Sequence, residues 1–288
     1  MNDTSSARPW LAPNANGPVR GAVSVPGSKS MTNRALVCAA LTDGVSVLRR
    51  PLQSRDSALM QTGLTTLGAQ FSTLGDSVAV TGAPPPLAVK QATIDVGLAG
   101  TVARFLPPVA ALATNRIDFG GDEQMRRRPI AALLDALRAL GADIDDGGRN
   151  ALPFAVVGGG GLPGGTVQVD AHESSQMVSG LLLASPYFRD GIDVTAVGAV
   201  PSAPHIAMTV AMMRRAGADV DAGPNRWRVQ RGAYAPRDTQ IEPDATSASY
   251  FFAAAAITGG AVMVTGWPHD SVQPSDHLIG VLTAMGVR

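Results

Sequence analysis

LMQTGLTTLGAQF, residues 59–71, reads as an amphipathic helix that stops at Gly68-Ala69 and runs straight into a strand. The same construction returns as LLDALRALGADI (133–144), MTVAMMRRAGADV (208–220) and LIGVLTAMGV (278–287). Its glycine falls at Gly68, Gly141, Gly217 and Gly286, each where a helix C-terminus favours a left-handed residue. A second series runs out of phase with the first: 28–44, 101–115, 174–186 and 246–260 each open on Ser or Thr and then turn apolar. Ser30, Thr101, Ser175 and Ser247 are therefore expected to cap buried helices. Hairpin patterns close the units at AQFSTLGDSVAVTG, ADIDDGGRNALPFAVVG and ADVDAGPNRWRVQRG. Each unit reads as strand, buried helix, strand, exposed helix and two strands, a repeated subdomain rather than a thin solenoid. The fourth unit reaches Arg288 without its hairpin, so the chain is expected to stop mid-unit.

The bulk composition narrows the function. Of 288 residues 45% are apolar and 16% charged, enough to bury a large core and too few charges for disorder. Twenty-three basic residues balance 23 acidic ones, which argues against a general nucleic-acid or membrane-surface binder. Cys38 is the only cysteine and lies on an apolar stripe with Met31 and Ala35, so it is read as core. His172, His205, His269 and His277 are not spaced as metal ligands, so no metal is expected. The start lacks a signal-peptide pattern, and no apolar run spans a bilayer. A cytoplasmic protein is expected.

The buried helices begin in loops suited to anions, because a helix N-terminus presents free N–H groups and partial positive charge. In PGSKSMTNR (26–34), Lys29, Ser30 and Arg34 can surround one phosphate or carboxylate. GLAGTVAR (97–104) has Gly97 and Gly100 for close backbone approach, and GDEQMRRRP (121–129) sets three arginines before Pro129, of which one or two can face a ligand. ESSQMVSG (173–180) and PSAPH (201–205) add neutral donors and acceptors. Each string read alone also suits an ordinary capped helix or charged turn.

Six strings in chain order, PGSKSMTNRALV, GLAGTVARF, GDEQMRRRPI, SSQMVSGLLL, SAPHIAMT and EPDATSASYF, resemble the EPSP synthases (3-phosphoshikimate 1-carboxyvinyltransferases), especially the actinobacterial type. The likeness runs from about Val19 to the end. It implies an α/β protein with a two-domain inside-out fold built from repeated βαβαββ units. One complete three-repeat domain is expected over 28–241, with 1–27 and 242–288 as parts of a second, truncated one. The implied reaction moves the enolpyruvyl group of phosphoenolpyruvate to the 5-hydroxyl of shikimate 3-phosphate, without metal or organic cofactor.

The resemblance assigns roles by motif. Lys29 contacts both substrates, Ser30 and Arg34 hold shikimate 3-phosphate, and Gly100 and Arg128 bind phosphoenolpyruvate. Ser174, Ser175 and Ser202 surround the shikimate phosphate, Gln176 lies between the ligands, and Asp244 sits at the crossover and acts in closure. Lys29, Gln176 and Asp244 are the catalytic candidates, with the main acid/base carboxylate expected beyond residue 288. Leu98 stands where many members carry Asn, and His205 where many carry Tyr. Small-molecule substrates, a monomer and little activity for this chain alone are expected. The rival readings are a UDP-N-acetylglucosamine enolpyruvyl transferase and a non-catalytic phosphate-binding remnant. The former typically has Lys-Asn near its start and a loop cysteine, whereas Lys29 is followed here by Ser30.

Overall fold

The structure is a computed structural model and describes residues 11, 14, 16–274 and 277–287. The parts of 1–27 and 242–288 that fall on other positions lie outside the described residues. In chain order the first elements are β1 (Arg20–Val23), α1 (Lys29–Ala40), β2 (Val45–Arg49), α2 (Arg55–Thr66), β3 (Gln70–Leu74) and β4 (Ser77–Thr81). Next come β5 (Ala92–Asp95), α3 (Gly100–Ala110), β6 (Arg116–Gly120), the single turn α4 (Glu123–Arg126), α5 (Ala131–Ala139), β7 (Asp143–Asp145) and β8 (Phe154–Val157). The third group is β9 (Gly165–Asp170), α6 (Gln176–Ala184), β10 (Ile192–Val197), α7 (Ala203–Arg215), β11 (Val220–Ala222) and β12 (Arg226–Val229). The chain continues through β13 (Asp238–Gln240), α8 (Ala245–Thr258), β14 (Ala261–Val264) and α9 (His277–Ala284).

Three four-stranded sheets follow one plan. In β5-β6-β8-β7 and β9-β10-β12-β11 a parallel pair flanks a buried helix, and an antiparallel hairpin completes the sheet. The first sheet, β13-β2-β4-β3, has the same order, but its parallel partner comes from beyond the third unit: Asp238 pairs with Val47 and Gln240 with Arg49. The strand that precedes α1 in the chain, β1, instead pairs in parallel with β14, from Arg20↔Ala261 to Val23↔Val264. Two chain segments must therefore cross. Ser28 N–H donates to Glu242 O at 2.8 Å, and Asp244 N–H donates to Pro26 O at 2.8 Å. Gly27 sits at this crossing, where a Cβ would meet Arg50 O at 2.3 Å.

The helices α1, α3 and α6 form the common core. Leu36, Val37, Phe105, Leu106, Leu181 and Leu182 are fully buried there, while α2, α5 and α7 keep an exposed face. Cys38 is buried with them, and burial pushes its thiol up to about 12, so it is core and not a nucleophile. The repeated glycines end their helices at positive φ: +107° at Gly68, +96° at Gly141, +101° at Gly217 and +92° at Gly286.

The expected caps need correction at three of four starts. Ser175 is the N-cap of α6, but α1 begins after Ser28, α3 after Ala99 and α8 after Asp244. Ser30 and Thr101 are the second residues of their helices and Ser247 the third. At α1 the backbone pairing of the crossing turns the chain helical earlier than the hydroxyl pattern suggests.

An ion cluster braces the third sheet, joining the buried Asp193 to the exposed side chains of Arg226 and Arg228. Asp193 on β10 accepts from Arg226 Nε and Nη2 at 2.7 and 2.6 Å, and from Arg228 Nε and Nη2 at 3.1 and 2.8 Å. These bonds hold its carboxyl well below the ordinary carboxylate range. A depressed folded pKa contributes stability above the unfolded value, and that contribution is lost as pH falls through the folded pKa. Asp193→Asn is therefore expected to cost about 1 kcal/mol at pH 7. Urea titrations should show the gap between the two proteins narrowing as pH drops below about 4. A gap independent of pH would mean that the charge contributes nothing.

Candidate active site

The first turns of α1, α6 and α7 meet around a cavity of about 160 Å³ lined by Ser30, Arg34, Glu173, Ser174, Ser175, Gln176, Ser202 and His205. The N-caps differ between helices in an informative way. Ser54 caps α2 through a reciprocal capping box, and Asp244 Oδ1 caps α8 by accepting from Ser247 N–H at 2.7 Å. In contrast, the N-cap residues of α1, α3, α6 and α7 make no side-chain cap bond, as is also true of α5. Among the described residues the first-turn N–H groups of α1 and α3 are left for another acceptor, and the positive ends of α1, α3, α6 and α7 remain, whereas Gln176 N–H of α6 donates to Ser174 Oγ at 3.2 Å and Ala203 and His205 N–H of α7 donate to Val200 O and Ser202 O.

Arg34 forms the floor and is 1% exposed. Its Nε donates to Thr209 Oγ1 at 2.7 Å, its Nη1 to Ser30 O at 2.9 Å, and its Nη2 to His205 O at 3.2 Å and Ser179 Oγ at 3.4 Å. The guanidinium also lies over the Phe105 ring, 5.1 Å from its centre. Every one of these acceptors is neutral. Among the described residues no carboxylate forms an ion pair with Arg34. Burial lowers its pKa to about 10, so the charge persists at neutral pH. A buried charge without a counter-ion is costly, and an anionic ligand in the cavity would relieve that cost. Burial, and then the Arg34 charge, push His205 below its ordinary value, so at pH 7 it offers hydrogen bonds without adding positive charge.

A second convergence lies at the start of α3. A Cβ built on Gly100 would lie 3.1 Å from Arg104 Nη1, 3.2 Å from Gln176 Oε1 and 3.5 Å from Arg128 Nη1. Gln176 thus faces both the cavity and the α3 N-terminus. Of the three arginines before Pro129, Arg127 pairs with Glu123 at 2.7 Å, and Arg126 Nε reaches Gly121 O at 3.4 Å. Arg128 makes no side-chain ion pair among the described residues and is the one turned toward Gly100.

The structure therefore brings Ser30, Arg34, Ser174, Ser175, Gln176 and Ser202 together, and places Gly100 and Arg128 beside Gln176. Two expected residues stand apart from the cavity lining. Lys29 has a side chain 53% exposed and is paired with Asp56 at 3.4 Å, so it does not share one anion with Ser30 and Arg34 in this conformation. Asp244 is held at the crossover as the cap of α8. The sequence reading missed Thr209 and Ser179, the hydroxyls that fix Arg34. Thr209 Oγ1 donates to His205 O and lies 2.9 Å from Ser179 Oγ, so both are satisfied within the core. The available signal was a hydroxyl inside an otherwise apolar helix face. Among the described residues no group of three His, Cys, Asp or Glu side chains could hold a metal, and no helix is long and apolar enough to cross a membrane.

The profile of the family described as EPSP synthase (3-phosphoshikimate 1-carboxyvinyltransferase) matches residues 13–288. The chain belongs to the EPSP synthase family. It is 53% identical over 287 residues to the 3-phosphoshikimate 1-carboxyvinyltransferase of Mycobacterium ulcerans (strain Agy99), covering 98% of this chain and 65% of that relative. Two solved structures of EPSP synthase from Acinetobacter baumannii superpose with a TM-score of 0.82 at 26% identity. They cover 94% of this chain and 60% and 61% of theirs. The chain therefore spans less than two thirds of the length of these EPSP synthases, and its α/β fold is theirs over that span.

Proposed function

We propose that this chain is the shikimate 3-phosphate-binding part of an enzyme that transfers the enolpyruvyl group of phosphoenolpyruvate to the 5-hydroxyl of that substrate. The observation that carries the reading is Arg34, a buried guanidinium with only neutral partners, lining the cavity where the first turns of α1, α6 and α7 meet. In this reading the phosphate of shikimate 3-phosphate accepts from Ser174, Ser175 and Ser202, and its ring lies over Ser30 and Arg34. Phosphoenolpyruvate sits between Gly100 and Arg128, with Gln176 touching both ligands and Lys29 released from Asp56 to reach them. The 5-hydroxyl oxygen bonds to the central carbon of phosphoenolpyruvate, whose methylene takes a proton. The hydroxyl gives up its proton, and phosphate then leaves the tetrahedral intermediate as the new methyl group loses a proton, which restores the carbon–carbon double bond. Positioning and charge stabilisation supply the catalysis.

The same proposal takes 28–241 as one complete domain, with 1–27 and 242–288 contributing to a second, and Asp244 at the joint between them. It describes a cytoplasmic monomer acting on small molecules. We also expect this chain by itself to turn over poorly. Tyr250, Ile257, Met263 and Met285 of the fourth unit are exposed, as expected of a face that meets further structure.

Calorimetry with shikimate 3-phosphate tests the reading. Saturable binding in the millimolar range or tighter is expected, together with phosphate release far below that of longer EPSP synthases. No heat at millimolar ligand would sink the shikimate assignment, and turnover equal to a longer relative's would sink the expectation of low activity. A preference for UDP-N-acetylglucosamine would transfer the chain to the sister activity.

A further inference from the structure

Arg104 on α3 is a second buried arginine, 4% exposed, and neither the sequence motifs nor the proposed reaction gives it a part. Its Nη1 donates to Gly100 O at 3.1 Å, and its Nη2 donates to Pro129 O at 2.6 Å. Its Nε is buried with no acceptor among the described residues. Among the described residues no carboxylate forms an ion pair with it.

The two carbonyls it bonds belong to two different pieces of the α3 convergence. Gly100 opens the helix, and Pro129 immediately follows Arg128. The backbone behind Arg104 is fixed, because α3 and α6 touch there so closely that a Cβ on Gly180 would meet Arg104 O at 2.1 Å. The guanidinium fork thus measures the gap between a rigid helix pair and the arginine loop. A bridge between two carbonyls needs no charge, yet this one is charged, buried and close to a second guanidinium. Burial first, and then the Arg128 charge, lower its pKa, with Glu173 opposing them. The N-terminus of α3 adds further positive potential. Three positive features crowded at one point repel one another until an anion arrives.

We infer that Arg104 is a positioning residue for the anion held between Gly100 and Arg128, setting the reach of Arg128 by clamping Pro129 to the first turn of α3. The inference rests on the phosphoenolpyruvate side of the proposed function.

The test titrates phosphoenolpyruvate into the chain saturated with shikimate 3-phosphate, and follows amide exchange over 122–130. Arg104→Gln is expected to weaken phosphoenolpyruvate binding about tenfold and to speed exchange in that loop by a similar factor. Shikimate 3-phosphate affinity should stay within about twofold. Arg104→Lys, which keeps the charge without the fork, should recover part of the phosphoenolpyruvate affinity while the loop stays fast. Equal loss of both ligands, with no recovery in the lysine variant, would make Arg104 merely structural and overturn the inference. Unchanged binding and exchange in Arg104→Gln would overturn it as well. Failure of the unsubstituted chain to take up phosphoenolpyruvate would remove the anion site itself, while shikimate 3-phosphate binding would still stand or fall separately.

Discussion

Arg34→Met should abolish shikimate 3-phosphate binding while leaving the protein as stable as before or more so. The binding loss follows from the cavity floor. A guanidinium held by four neutral acceptors is the one buried positive charge aimed at that space. Charge-assisted bonds to an anionic ligand contribute about 3 kcal/mol, so affinity should fall by about a hundredfold or more. The stability side follows from burial. Removing a desolvated charge that has no counter-ion relieves a penalty. The hydroxyls it leaves behind are already satisfied, since Thr209 Oγ1 donates to His205 O at 2.9 Å. Calorimetry and thermal unfolding on the same sample check both halves. Affinity within tenfold of the unsubstituted chain, or a drop of several degrees in melting temperature, would contradict this account.

The second large effect is structural. Gly180 lies where α6 crosses α3, and a Cβ there would fall 2.1 Å from Arg104 O, 3.0 Å from Arg104 C and 3.5 Å from Phe105 Cα. Pro108, four residues after Arg104, has no N–H to donate to that carbonyl, and the bare Cα of Gly180 packs against it instead. Gly180→Ala pushes backbone against backbone, which no side-chain rotation can relieve. A cost of about 3 kcal/mol is expected, at the upper end of overpacking effects. Gly280→Ala in α9 is the matched control, since nothing lies within 4 Å of its Cβ position. That change should be neutral or stabilise by about 0.5–1 kcal/mol through helix propensity. Denaturant midpoints that move equally in the two variants would mean that α3 and α6 do not meet as described.

Much of this architecture was legible because it is local. Helix–glycine–strand patterns located α2, α5, α7 and α9, and the turn residues located three hairpins. Ser30, Ser174, Ser175, Gln176 and Ser202 were legible as residues that meet around one cavity because each lies at a helix start, with Arg34 one turn on from Ser30, and helix starts are where the units converge. What escaped the reading depends on contacts distant in sequence. Thr209 lies 175 residues from Arg34, and nothing near either residue announces their bond. The pairing of Lys29 with Asp56 is set by how α1 meets α2, not by the loop that contains Lys29. Arg104 sits in a quoted string, but its partner Pro129 belongs to another. The caps were misplaced because hydroxyl spacing repeats faithfully while the helical turn begins where the backbone pairing allows it.

The exchange of β1 and β13 also has a meaning for how this protein is born. A ribosome delivers β2, β3 and β4 early, but the strand that completes their sheet is encoded much later: Arg237, just before β13, bonds to Ser46 across 191 residues. Throughout that interval the free edge of β2 is a bare row of amides and carbonyls, open to pairing with the wrong chain. Val45 and Arg49, at the ends of that strand, are exposed even in the finished molecule. The nascent first sheet is thus guarded only by its own shortness, five residues, until the late strand arrives.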